Sequence, residues 1–294
     1  MNAPVREFEV VSEGVRLAAE DYGGDGPGLV LVHGSGANLR SWDLLLPYIR
    51  DRFHVAAFDL RGHGRSEDGD QSADSGARDV AAVVSAAGLD NPIVLGHSWG
   101  VTIALRYGVM HHECRGLVLV DGIVGPFCYG TAPTWEALDA SLSEPATTMT
   151  NEEFEVWLAT DRRESLGLSP YLPWEAWIPL LRRCFTALDD EHVVMRPSPE
   201  QMREQCMIQM GQDAYELYDN VAARIIHIVG SGWDDEHAGA LPMPKRAEQI
   251  DRLLRVRPDI RIEWLRCGHG IPLEMPRETA GLVIDFAARL PIRA

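Results

Sequence analysis

Long apolar runs are missing from this chain of 294 residues: no stretch approaches the ~20 apolar residues that a membrane span needs. The first residues, Met1-Asn2-Ala3-Pro4-Val5-Arg6-Glu7, hold no apolar segment of the kind an export signal carries. Cysteine is sparse and unpaired in pattern. Cys114, Cys128, Cys184, Cys206 and Cys267 are odd in number and scattered, which argues against a disulfide framework or a zinc site and fits a reducing compartment. Positive charge is also short. The 27 lysines and arginines face 44 aspartates and glutamates, giving a net charge of −17. Binding to nucleic acid or to an anionic membrane is not expected. Repeats and low-complexity segments are lacking. The sequence therefore reads as a soluble cytoplasmic protein with no cofactor or metal and with a small molecule as its partner; its oligomeric state is left open.

What is present is a rhythm of short apolar strands and amphipathic helices. Leu29-Val30-Leu31-Val32, Val55-Ala56-Ala57-Phe58, Ile93-Val94-Leu95, Leu117-Val118-Leu119-Val120, Ile225 to Val229 and Arg261 to Leu265 read as strands, the continuous runs as strands buried on both faces. Helices are expected between them, including one through Trp42, Leu45, Leu46 and Ile49, and a closing one over Thr279 to Leu290. Alternating strands and helices predict an α/β fold: a mostly parallel twisted sheet with helices on both faces. From Gly125 to about Asn220 the short runs vanish, and proline-rich, Trp- and Met-bearing helical pieces replace them. The expected organisation is a core of residues 1–124 and 221–294 with an inserted helical cap over 125–220.

Between the third strand run and the next helix stands Gly96-His97-Ser98-Trp99-Gly100. Gly-x-Ser-x-Gly at a strand-to-helix turn lifts a serine hydroxyl clear of the sheet on a strained backbone and leaves no room for a Cβ at either glycine. Ser98 is thus the candidate nucleophile. His269, between two glycines after the last strand, is the candidate base, since imidazole can take the hydroxyl proton and return it. His97 is fixed inside the turn and should point away from the hydroxyl; His33 and His63 sit in turn motifs and read as structural; His111, His112, His192 and His237 read as surface positions.

His33-Gly34-Ser35-Gly36, Asp59-Leu60-Arg61-Gly62-His63-Gly64-Arg65-Ser66, Gly96 to Gly100, Gly268-His269 and Glu274-Met275-Pro276, in this order, make the chain resemble the α/β-hydrolase superfamily. The resemblance covers about 1–124 and 221–294. It implies a Ser-His-acid triad, with an oxyanion hole from the backbone N–H groups of Ser35 and Trp99. For the acid, the superfamily uses two positions, here Asp121 or Asp234-Asp235. Asp121 caps a clean strand, whereas Asp234 lies in an irregular loop; related hydrolases that share the 117–122 run and Lys245-Arg246 point to the earlier acid. Asp121 is preferred and Asp234 is the alternative. Trp135, Trp157, Trp174, Trp177, Met202, Met207 and Met210 are candidates for an apolar lid, and Glu152, Glu153, Glu155, Asp189 and Asp190 for a solvated face. The expected activity is hydrolysis of a small, largely apolar ester or lactone through an acyl-enzyme. Carbon–carbon or amide hydrolysis on the same triad is the alternative, and a non-catalytic small-molecule receptor on this scaffold is the reading from another class.

Overall fold

The computed structural model describes residues 5–125, 135–142, 145–232 and 243–291. Eight strands form the main sheet: β1 (Arg6–Ser12), β2 (Val15–Gly23), β3 (Gly28–Val32), β4 (His54–Phe58), β5 (Ile93–His97), β6 (Gly116–Val120), β10 (Arg224–Gly230) and β11 (Arg261–Leu265). Their order is β1-β2-β4-β3-β5-β6-β10-β11. β1 and β2 pair antiparallel, as do β2 and β4; the remaining pairs are parallel. Glu13 and Gly14, both at positive φ, make the two-residue turn between β1 and β2, the geometry that matches strand twist.

The apolar runs form strands because both sheet faces are covered. Val30 and Val32 of β3 enter one core with Trp99, Tyr107 and Tyr218, while Leu29 and Leu31 enter the other with Trp42, Phe53 and Phe286. The parallel register sets Val32 beside Gly96, His97 beside Val120, and Val120 beside Ile228. The carboxyl ends of β3, β5, β6 and β10 therefore lie side by side, where ligands bind in such sheets.

Two expectations are corrected. The helix foreseen through Trp42 and Ile49 is two pieces, a 3₁₀ turn Leu39–Trp42 and a short helix Leu46–Ile49. Asn38 caps the first through the N–H of Arg40, and Pro47 lacks the N–H that a continuous helix would need. The segment between β6 and β10 is not purely helical. Besides helices Asn151–Ala159, Trp174–Arg183, Pro199–Met210 and Ala214–Asp219, it contains a three-stranded antiparallel sheet of β7 (Thr148–Thr150), β8 (Phe185–Ala187) and β9 (His192–Met195), in the order β7-β9-β8.

This insert has its own apolar core of Phe154, Leu158, Trp174, Trp177, Leu181 and Phe185, joined by Leu273 from the main body. Polar contacts fasten it to the sheet side. Arg183 Nε donates to Asp59 Oδ2 at 2.9 Å, with Asp59 fully buried. Arg196 donates to Ser66 O at 2.6 Å and pairs with Asp68. Asn38 Nδ2 donates to Leu180 O at 2.9 Å. No helix among the described residues is long and apolar enough to cross a membrane.

Candidate active site

β5 ends in the tight turn that the sequence predicts. Ser98 has φ +53° and ψ −117°, and the helix Trp99–Met110 starts directly after it. The turn is closed by contact. A Cβ on Gly96 would lie 2.2 Å from Gly100 O, and one on Gly100 would lie 2.1 Å from Val32 O. The loop after β3 presses on the same serine, for a Cβ on Gly34 would meet Ser98 Cβ at 2.7 Å.

His269, on the loop after β11, reaches this hydroxyl. Its Nε2 is 3.0 Å from Ser98 Oγ, and its Nδ1 is 2.7 Å from Asp121 Oδ2 at the end of β6. A carboxylate only accepts, so Nδ1 carries the proton, and Nε2 is left as the acceptor for the Ser98 hydroxyl. Asp121 is buried, and its other oxygen takes the N–H of Gly230 at 3.0 Å and the guanidinium of Arg246. Burial pushes its carboxyl pKa up. The hydrogen bond from His269, the charge of Arg246 and the Gly230 N–H outweigh that and hold it below the ordinary carboxylate value. Asp234, Asp235 and His237 lie outside the described residues. Sequence reading noticed Arg246 only as part of a shared pattern; its role against Asp121 requires the fold, because 125 residues separate the two.

Around this chain of contacts His97, His33 and His63 serve as ties. His97 Nε2–H donates to His269 O at 2.8 Å, and the two rings lie with centroids 4.9 Å apart. His33 donates from Nδ1 to Gly34 O at 2.8 Å and accepts the Leu60 N–H at 2.9 Å. His63 donates to Arg61 O at 2.7 Å and accepts the Gly36 N–H at 3.3 Å. Burial drives the pKa of His33 and His63 down to about 3 and that of His97 to about 4. Glu274 brackets His269 from the other side. Its carboxylate accepts the N–H of Gly268 at 2.8 Å and of Gly270 at 3.2 Å.

The N–H groups of Ser35 and Trp99 donate to no backbone carbonyl among the described residues. The Ser35 hydroxyl points elsewhere, to Gln205 Oε1 at 2.5 Å, and Gln205, fully enclosed, continues to Gln71 at 2.7 Å. The Trp99 indole is buried in the sheet core and does not line the cavity.

A cavity of about 410 Å³ opens over Ser98. Trp177, Leu168 and Leu180 of the insert and Pro272 and Leu273 of the body form its apolar wall. Of the aromatic and methionine side chains expected to line a lid, Trp177 alone does so; Trp157 and Trp174 pack with Phe154 and Phe185 inside the insert, and Met207 and Met210 are exposed. The acids Glu153, Glu155 and Asp189 bond to Thr150, Arg182 and His192 on the surface. Among the described residues no group of three or more histidine, cysteine or acidic side chains could hold a metal ion.

The comparison with known proteins agrees with this architecture. Residues 29–282 match the model of the alpha/beta hydrolase family. N-formylmaleamate deformylase of Pseudomonas putida is 30% identical over 201 residues, covering 66% of this chain and 73% of that protein. The 2-hydroxymuconate semialdehyde hydrolase of a Pseudomonas species is 26% identical over 298 residues, covering 98% and 95%. An esterase of Mycobacterium tuberculosis is 34% identical over 125 residues, covering 41% of each chain. With its eight-stranded sheet, its strand-to-helix serine turn and a family match over most of its length, the chain belongs to the alpha/beta hydrolase family and is a hydrolase.

Proposed function

We propose that this protein is a serine hydrolase that cleaves a small, largely apolar ester or lactone through an acyl-enzyme, with Ser98 as nucleophile, His269 as base and Asp121 as the acid that orients it. The observation that carries the reading is the chain Ser98–His269–Asp121, with contacts of 3.0 and 2.7 Å, opening on an apolar cavity. As Ser98 Oγ bonds to the carbonyl carbon, its proton passes to His269 Nε2. Asp121 steadies the resulting imidazolium. The carbonyl oxygen takes on negative charge and is met by the backbone N–H groups of Ser35 and Trp99, which are fixed before the charge develops. Collapse breaks the bond to the leaving oxygen, which receives the proton from Nε2. Water, deprotonated by the same nitrogen, then attacks the acyl group and frees the acid and the serine. The insert serves as a cap that keeps bulk water from the acyl group.

Cleavage of a C–N or C–C bond on the same serine is the second reading. It is favoured by the relatives that align along most of their length, a deformylase and a semialdehyde hydrolase. A fluorophosphonate probe tests the nucleophile. Prompt labelling of the Ser98 peptide, absent in Ser98→Ala, is expected; an unlabelled wild type overturns the proposal. Turnover of a panel of p-nitrophenyl esters, lactones and N-formyl amides then separates the two readings.

A further inference from the structure

The Ser35 side chain is tied to the insert by a run of hydrogen bonds whose direction is fixed at its far end. The Ser35 hydroxyl lies 2.5 Å from Gln205 Oε1, Gln205 Nε2 lies 2.7 Å from Gln71 Oε1, and Gln71 Nε2 lies 2.8 Å from Gly69 O. Gly69 O only accepts, so Gln71 turns its amide N–H to it and its carbonyl oxygen to Gln205. Gln205 must then give its own N–H to Gln71 and its oxygen to Ser35. Flipping either amide would set two acceptors against each other. Ser35 is left as the donor at the near end, with its one proton committed to Gln205. Gln205 and Gln71 are 1% and 5% exposed, so water has little access to compete for these bonds.

The run ends on the residue whose N–H is assigned to the oxyanion hole. That N–H belongs to the planar peptide between Gly34 and Ser35, whose orientation is set from both of its ends. At one end Gly34 O accepts His33 Nδ1–H at 2.8 Å and the Ala37 N–H at 3.3 Å. At the other, among the described residues, Ser35 has one side-chain tie, to Gln205 on the helix Pro199–Met210 of the insert. The same helix is seated on the loop after β4, where Gln201 Nε2 donates to Asp68 at 3.0 Å. We infer that Gln205 is a positioning residue: by holding the Ser35 hydroxyl it aims the Ser35 N–H at the carbonyl oxygen of the substrate, so that the insert completes the oxyanion hole as well as covering the cavity. A role for the hydroxyl as a further oxyanion donor is ruled out, because its proton is already given. The inference rests on the reading of Ser98 as the nucleophile and of the Ser35 N–H as an oxyanion donor.

The test sets Ser35→Ala and Gln205→Met beside the wild type and the double variant. With p-nitrophenyl butanoate, each single change is expected to lower kcat/KM by roughly 10- to 100-fold, less than the loss of a whole oxyanion donor, and the double variant to fall no further than the single ones. A trifluoromethyl ketone reads the hole directly. Ser98 Oγ adds to its carbonyl carbon, the hydroxyl proton passes to His269, and the ketone oxygen becomes an oxyanion. Its Ki should rise in both single variants by the factor by which kcat/KM falls, while the Ki of the matching secondary alcohol, which forms no oxyanion, is unchanged. Gln205→Asn, which keeps an amide for Gln71 but stops a methylene short of Ser35, makes the same comparison where Gln205→Met does not fold. A loss in Ser35→Ala with wild-type rates in the Gln205 variants means that the hydroxyl itself acts on the substrate, and overturns the inference. So do losses that multiply in the double variant, and so does equal weakening of ketone and alcohol, the mark of a loosened cap. A wild type that takes no fluorophosphonate label at Ser98 sinks the nucleophile and the inference with it, whereas a labelled wild type whose Gln205 variants keep full kcat/KM sinks the inference alone.

Discussion

Ser98 is held at a positive φ by its neighbours' lack of side chains, so the site is most sensitive at residues that have no functional group. Gly34→Ala puts a methyl 2.7 Å from Ser98 Cβ in a loop already bonded to His33 and His63. Either the loop or the serine must shift. A displacement on the order of 1 Å costs roughly a hundredfold in rate. The expected result is a variant with wild-type circular dichroism and kcat/KM on its best ester lower by about two orders of magnitude. Asp121→Asn leaves the shape but offers an amide to His269 Nδ1, favouring the wrong tautomer. Turnover should drop by roughly 10³–10⁴-fold, as expected for loss of the orienting carboxylate. Near-normal turnover would reassign the acid. Arg246→Met strips the partner from a carboxylate that is 1% exposed, and removing one member of a buried pair costs about 3–5 kcal/mol. Urea unfolding is expected to register that loss, together with a fall in kcat as Asp121 shifts.

At the scale of elements, the loops after β3, β4 and β5 are tied by imidazoles that are neutral in the fold. Burial is the main cause, and it sets pKa values of about 3 for His33 and His63 and about 4 for His97. The unfolded chain binds protons near pH 6.5, which the folded chain refuses. The stability these groups confer is therefore complete above about pH 6.5 and is lost as pH falls toward 4 and 3. Each lost imidazole weakens the fold by up to about 1.4 kcal/mol per pH unit. Urea midpoints measured from pH 8 down to pH 4 should stay level to about pH 6.5 and then decline steeply; a flat profile would mean the rings are hydrated. The same elements mark how far a sequence can be read. The inner strands β3 to β6 and β10 were legible because each is a nearly continuous apolar run with turn residues at its ends, and Ser98 and Asp121 fall at such ends; His269 follows the mixed run of β11. β7, β8 and β9 were not legible: they are three or four residues long, largely half-exposed, and set among tryptophans and prolines that suggest helices. Trp157 and Trp174 misled for a related reason. A bulky side chain declares that it will be buried, but not whether it faces a cavity or its own subdomain. Glu274 was visible only as part of the Glu274-Met275-Pro276 pattern, and Gln205 was silent, because their partners, backbone N–H groups and a distant serine, leave no trace in composition.

For the whole molecule the decisive feature is the seam between insert and sheet. Asp59 takes the N–H groups of Leu39 and Arg65 at 2.9 and 2.8 Å as well as the guanidinium of Arg183. One buried carboxylate thus joins the loop after β3, the loop after β4 and the insert. Peeling the insert away would strand that charge in an apolar setting without a counterion. The upper part consequently has no cheap way to melt first. Calorimetry should give one symmetric endotherm rather than a shoulder followed by a main peak, and Arg183→Leu should bring the midpoint down by about 10 °C. For an organism or an engineer the lesson is practical: this catalyst fails all at once, so warming yields either an intact, sheltered reaction chamber or no chamber, and never a stripped scaffold with its serine bare to the solvent.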